Sequence, residues 1–299
     1  MHPDDKNRNL TAFQIWYLAM RPKTLPAAAA PVLVGISLAL GDGVFRLLPA
    51  LVALLGALLL QIGSNLANDV FDFKKGTDTA ERQGPVRVTQ AGLLTPKQVM
   101  TGMLMVFGLA ALIGLYLIYV GGWPILLVGL LAILAAIAYT AGPFPLGYNG
   151  LGDIFVFIFF GPVAVIGTYY VQSGDVSTLS WWASLPMGFL ITAILVVNNL
   201  RDIDTDKKTG KRTLAVRFGL RFTQQEYLLL VLLSYLVPLI IQFQGVSPWV
   251  LLTWLSLPLV LPLIREIYNQ KGKPLNKTLA GTARLALVYA VLFSLGYIL

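Results

Sequence analysis

Long apolar stretches dominate this chain and decide which solvent it folds in. A helix needs about 17 to 25 apolar residues to cross a bilayer. The sequence contains nine such runs, at 25–41, 47–67, 98–120, 123–141, 151–171, 181–199, 226–244, 248–264 and 279–298. Only 12% of the residues are charged, whereas soluble proteins have about 25%. We therefore predict an all-α polytopic membrane protein with nine transmembrane helices.

The distribution of Lys and Arg between the loops indicates how these helices are oriented. With a cytoplasmic N-terminus, all 22 basic residues except Arg46 fall on the cytoplasmic side. Cytoplasmic loops normally carry such an excess, so the pattern predicts a multi-pass protein of the cell (inner) membrane, N-in and C-out. This topology and contact with anionic lipid headgroups explain the formal charge of +8. No nucleic-acid partner is expected.

The residue types that are missing exclude several kinds of chemistry. The chain has no Cys, and its one His is His2, close to the N-terminus. Disulfides, thiolate catalysis, Ser-His-Asp triads and HExxH metal sites are therefore excluded. Any catalysis has to come from carboxylates, amides, basic side chains and Tyr.

Two polar motifs follow apolar runs four helices apart. Residues at i, i+3, i+4 and i+7, or at i, i+4 and i+8, share one face of a helix. The first motif, NLANDVFD, places four polar residues on one such face: Asn65, Asn68, Asp69 and Asp72. The second motif, NNLRDIDTD, places three there: Asn198, Asp202 and Asp206. Asp204 points elsewhere and is expected to be a solvated charge. The matched placement predicts two related halves of four helices, 12–141 and 151–264, and a ninth helix, 279–298.

Two acidic faces at one membrane depth would repel each other unless cations lay between them. Hard oxygen ligands in this number favour Mg²⁺, and carboxylates at membrane depth are costly and usually functional. The alternative is that the motifs are ordinary polar helix ends facing the cytosol. Basic residues follow each motif, Arg87 after the first and Lys211 and Arg212 after the second. They would complete a site for a polyanion such as diphosphate, although topology alone could explain most of them.

The motifs also resemble those of a known family. The patterns NDxxDxxxxxD (Asn68, Asp69, Asp72, Asp78) and NxxxDxxxD (Asn198, Asp202, Asp206) occur together with RPKTLPAAAAPVLVG, YTAGPFPLGYNGLGD and NNLRDIDTDKKTGKRTLAVRFG. In this combination the chain resembles the UbiA superfamily of intramembrane aromatic prenyltransferases, and within it the menaquinone branch, the 1,4-dihydroxy-2-naphthoate polyprenyltransferases. It departs from the wider pattern at Asp78, which follows Asp72 by six residues rather than four, and at Asn198, which replaces an Asp.

The resemblance implies a reaction, its cofactor and its residues. Two Mg²⁺ ions would bridge the motifs to the diphosphate of an allylic polyprenyl donor, at the cytoplasmic rim of a central cavity in a single domain, 1–299. The prenyl group would pass to 1,4-dihydroxy-2-naphthoate with loss of CO₂ and diphosphate, which gives demethylmenaquinol. The implied metal ligands are Asn68, Asp69, Asp72, Asp78, Asn198, Asp202 and Asp206. The catalytic residues are Asp72, Asp202, Asp206 and Tyr139, and the substrate-binding residues are Asn65, Arg87, Lys211, Arg212, Arg21 and Lys23.

Several alternatives stay open from the sequence alone. Tyr139 could face the reactive carbon, or could be an interfacial Tyr of the kind enriched at membrane boundaries. Asp153 is expected to be a helix N-terminal residue. The acceptor could be 4-hydroxybenzoate or homogentisate. From other classes, a cation or metabolite transporter and a structural scaffold remain, although transport sites tend to lie near the bilayer midplane.

Overall fold

The computed structural model describes residues 10–79 and 81–299, so His2 lies outside the described part of the chain. Within those two ranges every regular element is helical, which confirms the all-α prediction. The α-helices are α1 (Ala12–Met20), α2 (Leu25–Gly41), α3 (Leu47–Lys74), α4 (Pro96–Gly121), α5 (Trp123–Ala138), α6 (Gly152–Ile158), α7 (Ala164–Ser173), α8 (Thr178–Lys208), α9 (Leu214–Phe243), α10 (Leu257–Asn269) and α11 (Leu275–Ile298).

Eight helical segments of the described chain are long and apolar enough to cross a membrane. They are Ala12–Gly41, Leu47–Lys74, Pro96–Gly121, Gly152–Ser173, Thr178–Lys208, Leu214–Phe243, Pro248–Asn269 and Leu275–Ile298. A ninth apolar helix, α5, has 16 residues and is therefore about 24 Å long. With α5 included, residues 10–79 and 81–299 contain the nine apolar segments that the sequence predicts.

The helices that carry the motifs continue well past their apolar runs. α3 extends to Lys74 and α8 to Lys208, whereas the predicted spans end at 67 and 199. Each helix stops just before a glycine in the left-handed region, Gly76 with φ 68° and Gly210 with φ 78°, which is a common way for helices to end. Each motif therefore lies on an uninterrupted helix, as its spacing predicts.

Other helix ends and bends also have local causes. Thr11 with Gln14 and Thr95 with Gln98 form capping boxes at the starts of α1 and α4, which satisfy free backbone N–H groups. The segment predicted at 226–244 begins earlier, at Leu214, and is kinked at Gly219, where φ is 82°. The segment predicted at 248–264 begins with a 3₁₀ helix, Pro248–Ser256, before α10.

Helix packing produces two apolar cores, and a polar cluster joins three helix ends. The larger core combines side chains of α2, α7, α8, α9 and α11, and the smaller one combines side chains of α1, α3 and α4. At the end away from the motifs, the Asp42 carboxylate accepts hydrogen bonds from the Tyr169 hydroxyl at 2.6 Å and the Tyr297 hydroxyl at 2.5 Å. This cluster joins the ends of α2, α7 and α11. The relationship between the two halves stays a prediction.

Candidate active site

The two motifs face one cavity of about 610 Å³ inside the bundle. Asn68 and Asp72 of α3 and Asn198, Asp202 and Asp206 of α8 all line it. The rest of its wall is mainly apolar and comes from α2, α3, α4, α5 and α7. The cavity therefore has one charged end, where the motifs lie, and a long hydrocarbon-like interior.

Asp72 is the most heavily paired acid of the site. Its side chain is only 2% exposed and lies 2.6 Å from Nη2 of Arg87 and 3.7 Å from Nζ of Lys211. The hydroxyl of Tyr148 donates a third contact to the same carboxylate. Burial lowers the pKa of Arg87, but the Asp72 and Asp78 carboxylates outweigh burial and raise it. Arg87 is thus a fixed positive charge at the cavity wall, and its substrate-binding role stays a prediction.

Asp69 does not reach the cavity, although its sequence spacing grouped it with the metal ligands. Its carboxylate accepts hydrogen bonds from the backbone N–H groups of Val88 and Thr89, both at 3.1 Å. The side chain lies at the edge of the predicted helix face, where the loop after α3 covers it. Each of its oxygens thus accepts a hydrogen bond from the backbone of that loop, and Asp69 is absent from the cavity lining. The implied ligand role of Asp69 is corrected to anchoring the loop that carries Arg87.

Asp78 is also separated from the cavity, by two arginines. Its carboxylate pairs with Nη1 of Arg82 at 2.7 Å and with Nε of Arg87 at 3.2 Å, and its side chain is fully buried. Asp78 is absent from the cavity lining, whereas Arg82 and Arg87 are part of it. The extra spacing after Asp72 therefore places this acid behind the arginines, and its implied role as a metal ligand is not supported by its position.

The second motif is organised by a residue that the sequence analysis missed. Arg201 donates to both carboxylate oxygens of Asp202, at 2.9 and 2.5 Å, and to Oδ1 of Asn198 at 2.8 Å. It also donates to Oδ1 of Asn276 on α11 at 2.8 Å. The signal was available, because Arg201 lies three residues after Asn198 and so shares the motif face.

Lys211 connects the two motifs. Its Nζ lies 3.7 Å from the Asp72 carboxylate and 3.9 Å from the Asp206 carboxylate. It also stands 4.7 Å from the ring centroid of Tyr148. One cationic group, the Lys211 ammonium, thus lies within 4 Å of acids on both α3 and α8. A metal ion shared between the two faces stays a prediction.

The remaining predicted binding residues divide into two groups. Arg21 and Asn65 line the cavity. Asn65 also ties α3 to the end of α1 and to the residue before α2, because its Nδ2 donates to Met20 O at 3.0 Å and to Thr24 Oγ1 at 2.9 Å. Lys23 and Arg212 are exposed and outside the cavity lining. Their positions do not support the substrate-binding role predicted for Lys23 and Arg212, which stays a prediction.

Two tyrosines line the charged end of the cavity. Tyr139 lies against two close-packed glycines, because a Cβ added at Gly147 would lie 2.7 Å from its ring and one at Gly152 would lie 2.9 Å from its hydroxyl. Tyr148 was not predicted. Burial and the neighbouring Asp72 carboxylate raise the pKa of Tyr148, so its phenol stays a neutral donor. Asp153 lies in the first turn of α6, as expected, and outside the cavity lining.

The oxygen ligands at the charged end suit a hard cation that takes its remaining ligands from water and substrate. The Asn68 amide oxygen is buried and has no hydrogen-bond partner within residues 10–79 and 81–299. In the same part of the chain no three acidic, His or Cys side chains stand together to hold an ion unaided. Mg²⁺ typically takes one or two carboxylates and fills its shell with water and substrate phosphates. The residues present fit that type of site.

Comparison with known proteins agrees with this geometry. The sequence profile of the UbiA prenyltransferase family matches residues 28–296. The chain belongs to this family. The resemblance drawn from the motifs is thereby confirmed, and the protein is a prenyltransferase of the membrane-embedded UbiA type.

Named relatives of the family cover nearly the whole chain. A protein of Escherichia coli (strain K12) named 1,4-dihydroxy-2-naphthoate octaprenyltransferase is 38% identical over 98% of this chain and 97% of its own length. A Haemophilus influenzae protein of the same name is 37% identical over 96% of both chains. A solved structure of a UbiA homolog from Archaeoglobus fulgidus bound to GPP and Mg²⁺ superposes with a TM-score of 0.65, at 15% identity, over 94% of this chain and 99% of that one. This last likeness shows the shared fold.

Proposed function

We propose that this protein transfers a polyprenyl group from an allylic diphosphate to 1,4-dihydroxy-2-naphthoate, with loss of CO₂ and diphosphate, to give demethylmenaquinol. One observation carries the proposal. Two oxygen-rich helix faces, bridged by Lys211, form the charged end of a long apolar cavity. Such a cavity accepts a molecule with an anionic head and a hydrocarbon tail. The names of the Escherichia coli and Haemophilus influenzae relatives supply the acceptor.

Asn68, Asp72, Asp202 and Asp206 are the residues that we propose to hold Mg²⁺, with two ions shared between the faces. When bound, the metal neutralises the diphosphate so that the allylic carbon–oxygen bond can ionise. Lys211 and Arg87 already balance the charge of Asp72, at 3.7 and 2.6 Å. We propose that both side chains also bind the diphosphate oxygens when the donor is present, because phosphate forms strong charge-assisted hydrogen bonds with Lys and Arg.

The acceptor is proposed to bind beside the tyrosines. The Tyr139 ring lines the cavity at the charged end, where an aromatic face stabilises a nearby cation. Tyr148 donates to Asp72 and keeps its proton, so it holds that carboxylate in place. Arg21 lines the same end, and its Nη2 has no hydrogen-bond partner within residues 10–79 and 81–299. This group is free to bind an anionic part of either substrate.

The proposed orientation places this charged end at the cytoplasmic side. All basic residues except Arg46 fall on that side if the N-terminus is cytoplasmic, as is usual for membrane proteins. Water-soluble acceptor and diphosphate would then enter and leave from the cytoplasm, while the tail stays within the bilayer.

The transporter and scaffold alternatives find less support. The motifs lie near the ends of uninterrupted helices, whereas transporter sites are typically formed by discontinuous helices near the bilayer midplane. A scaffold would leave the buried charges of the cavity without a purpose, although such groups are costly in a membrane.

The test is direct. Purified protein in detergent or nanodiscs is incubated with polyprenyl diphosphate, 1,4-dihydroxy-2-naphthoate and Mg²⁺, and the release of diphosphate and CO₂ is followed. We expect both products in equal amounts, and none after chelation of the metal. A folded protein that releases neither product with 1,4-dihydroxy-2-naphthoate, but releases diphosphate while it prenylates 4-hydroxybenzoate or homogentisate, would reassign the acceptor. Release of neither product with any acceptor would overturn the proposal.

A further inference from the structure

The deep part of the cavity contains glycines that close helix packing does not explain. Gly56 of α3, Gly114 of α4, Gly129 of α5 and Gly167 of α7 all line it. A Cβ added at any of these four positions would meet no heavy atom within 4 Å. Small residues in membrane helices usually allow two backbones to approach each other, and glycine is a poor helix former. Their absent side chains leave empty space here rather than a tight contact.

Other glycines of the same bundle show the contrast. A Cβ at Gly63 on α3 would lie 2.5 Å from the Phe107 ring, and one at Gly35 on α2 would lie 2.6 Å from the Val165 carbonyl oxygen. Those two positions require glycine because a neighbour fills the space. The four cavity positions have no such neighbour, so the open volume itself is the feature to be explained.

The four glycines lie at two depths below the charged end. Gly129 is ten residues before Tyr139, about 15 Å along α5. Gly56 is sixteen residues before Asp72, about 24 Å along α3, and Gly114 is eighteen residues after the start of α4, about 27 Å along that helix. Gly167 is fifteen residues after the start of α6, about 22 Å if the segment rises like an α-helix. Gly129 therefore lies at middle depth and the other three lie deep.

The opposite end of the cavity shows which kind of ligand occupies it. Three buried polar atoms there, Arg21 Nη2, Asn68 Oδ1 and Thr140 Oγ1, have no hydrogen-bond partner within residues 10–79 and 81–299, and Thr140 is only 3% exposed. All three residues line the cavity. A single ligand with a polar head and a linear apolar tail would satisfy these atoms and extend past the glycines.

From this geometry we propose that Gly56, Gly114, Gly129 and Gly167 determine the length of the prenyl tail that the protein accepts. The proposal rests on the proposed function and adds the residues that limit its donor. The tail runs inside the cavity past Gly129 and then past the deep glycines. A side chain at Gly129 would block the tail early, and one at Gly56 would block only longer tails.

The experiment compares Gly129→Leu and Gly56→Leu with a matched control, Gly108→Leu. Gly108 is on the same helix as Gly114 and also has no atom within 4 Å of an added Cβ, but it is exposed and outside the cavity lining. kcat/KM is measured for donors of two, four and eight isoprene units with one acceptor. A misfit of one methylene or more in an apolar pocket typically costs about 10-fold or more.

We expect Gly129→Leu to lower kcat/KM about 10-fold or more for the four-unit and eight-unit donors and to leave kcat/KM for the two-unit donor unchanged. Gly56→Leu should lower kcat/KM only for the eight-unit donor. Gly108→Leu should have the same kcat/KM as the unsubstituted protein for all three donors. If a Leu variant does not fold, Gly129→Ala, which adds one methyl group in open space, should show the same order with a smaller effect.

Two results would overturn the inference, and they differ in their meaning. Unchanged or parallel kcat/KM values for all three donors, in variants that remain active, would show that the tail leaves sideways into lipid above Gly129. In that case the proposed function stands. Failure of the unsubstituted protein with every donor would overturn the proposed function and this inference with it.

Discussion

The two motifs of the site neutralise their acids in different ways. The partners of Asp72 come from other parts of the chain, namely Arg87 of the loop after α3, Lys211 of the loop after α8 and Tyr148 of the segment before α6. The main partner of Asp202 is Arg201, the preceding residue on the same helix. The first motif therefore depends on three connecting segments, whereas the second is arranged largely by its own helix.

This difference teaches where the site can adjust. A carboxylate held by loop residues can exchange its partners when those loops move. A carboxylate held by a neighbour on a continuous helix keeps its position. We infer that donor binding rearranges the surroundings of Asp72 more than those of Asp202, and substitutions can test this contrast.

The largest effects are expected where the two motifs are equivalent. Asp72→Ala and Asp202→Ala should each lower kcat about 10²–10³-fold, because each removes a proposed ligand of the Mg²⁺ that neutralises the diphosphate. Steady-state assays of membrane preparations, with insertion checked by protease mapping, measure this. Asp204→Ala, an exposed neighbour on α8, is the control and should keep its activity. Near-normal turnover in either of the first two variants would remove that residue from the site.

Arg87→Ala should disturb the first motif through a loop residue, whereas the corresponding partner in the second motif, Arg201, lies on the motif helix itself. It leaves Asp72 and Asp78 buried with one partner fewer, and loss of one member of a buried pair costs about 3–5 kcal/mol. We expect a lower thermal unfolding midpoint in detergent and a higher KM for the donor. Arg87→Lys keeps the charge and should recover part of both. An unchanged donor KM in the Ala variant would return Arg87 to a purely topological role.

Lys211→Ala tests whether the motifs are coupled. Its loss removes the one cation of residues 10–79 and 81–299 that lies within 4 Å of acids on both helices. A hydrogen bond to a charged group contributes about 1.5–3 kcal/mol, so the KM for the donor should rise about 10-fold or more. Arg212→Ala is the neighbouring control, because that side chain is exposed. Equal effects of the two substitutions would show that only the net charge of the loop matters.

Asp69→Asn tests whether Asp69 binds the metal or holds the loop after α3 in place. The amide can accept only with its oxygen, so one of the two backbone hydrogen bonds from Val88 and Thr89 is lost, at a cost of about 1–3 kcal/mol. Limited proteolysis should cleave the loop after α3 faster, while the Mg²⁺ concentration for half-maximal rate stays constant. A large rise in that concentration would restore Asp69 to the metal ligands.

The smallest effect is expected for Tyr148→Phe. The folded pKa of Tyr148 is raised by burial and by Asp72, so its contribution to stability is constant below the unfolded value of about 10 and decreases only above it. Between pH 6 and 9 the variant should therefore show the same pH profile as the parent, with a modest fall in kcat. A pH-rate limb below pH 9 that disappears in the variant would contradict this.

The sequence allowed the apolar spans and the motif faces to be predicted because both follow from helical periodicity. The same periodicity predicts helix α5 and the continuation of α3 and α8 through their motifs. The partners of the motif residues could not be predicted in this way. Asp69 accepts hydrogen bonds from the backbone of Val88 and Thr89. Asp78 pairs with Arg82 and Arg87. Both sets of contacts depend on how the long loop after α3 folds back onto that helix.

Arg201 and Tyr148 show two different kinds of omission. Arg201 was within reach of helical geometry, since its spacing from Asn198 matches one turn, but its charge was assigned to topology. Tyr148 contacts Asp72 across 76 residues of chain, and no local pattern connects those two positions. Tertiary packing of the connection between α5 and α6 decides that contact.

The cluster of Asp42 with Tyr169 and Tyr297 has a consequence for how the protein works in its membrane. Three helices are clamped together at the face opposite the reaction centre by two short phenol-to-carboxylate bonds. We expect these helix ends to stay together throughout turnover. An apolar product would then leave sideways into the lipid, and ions would not leak across the bilayer. Opening and closing would then be confined to the end that carries the motifs, where the loops after α3 and α8 lie.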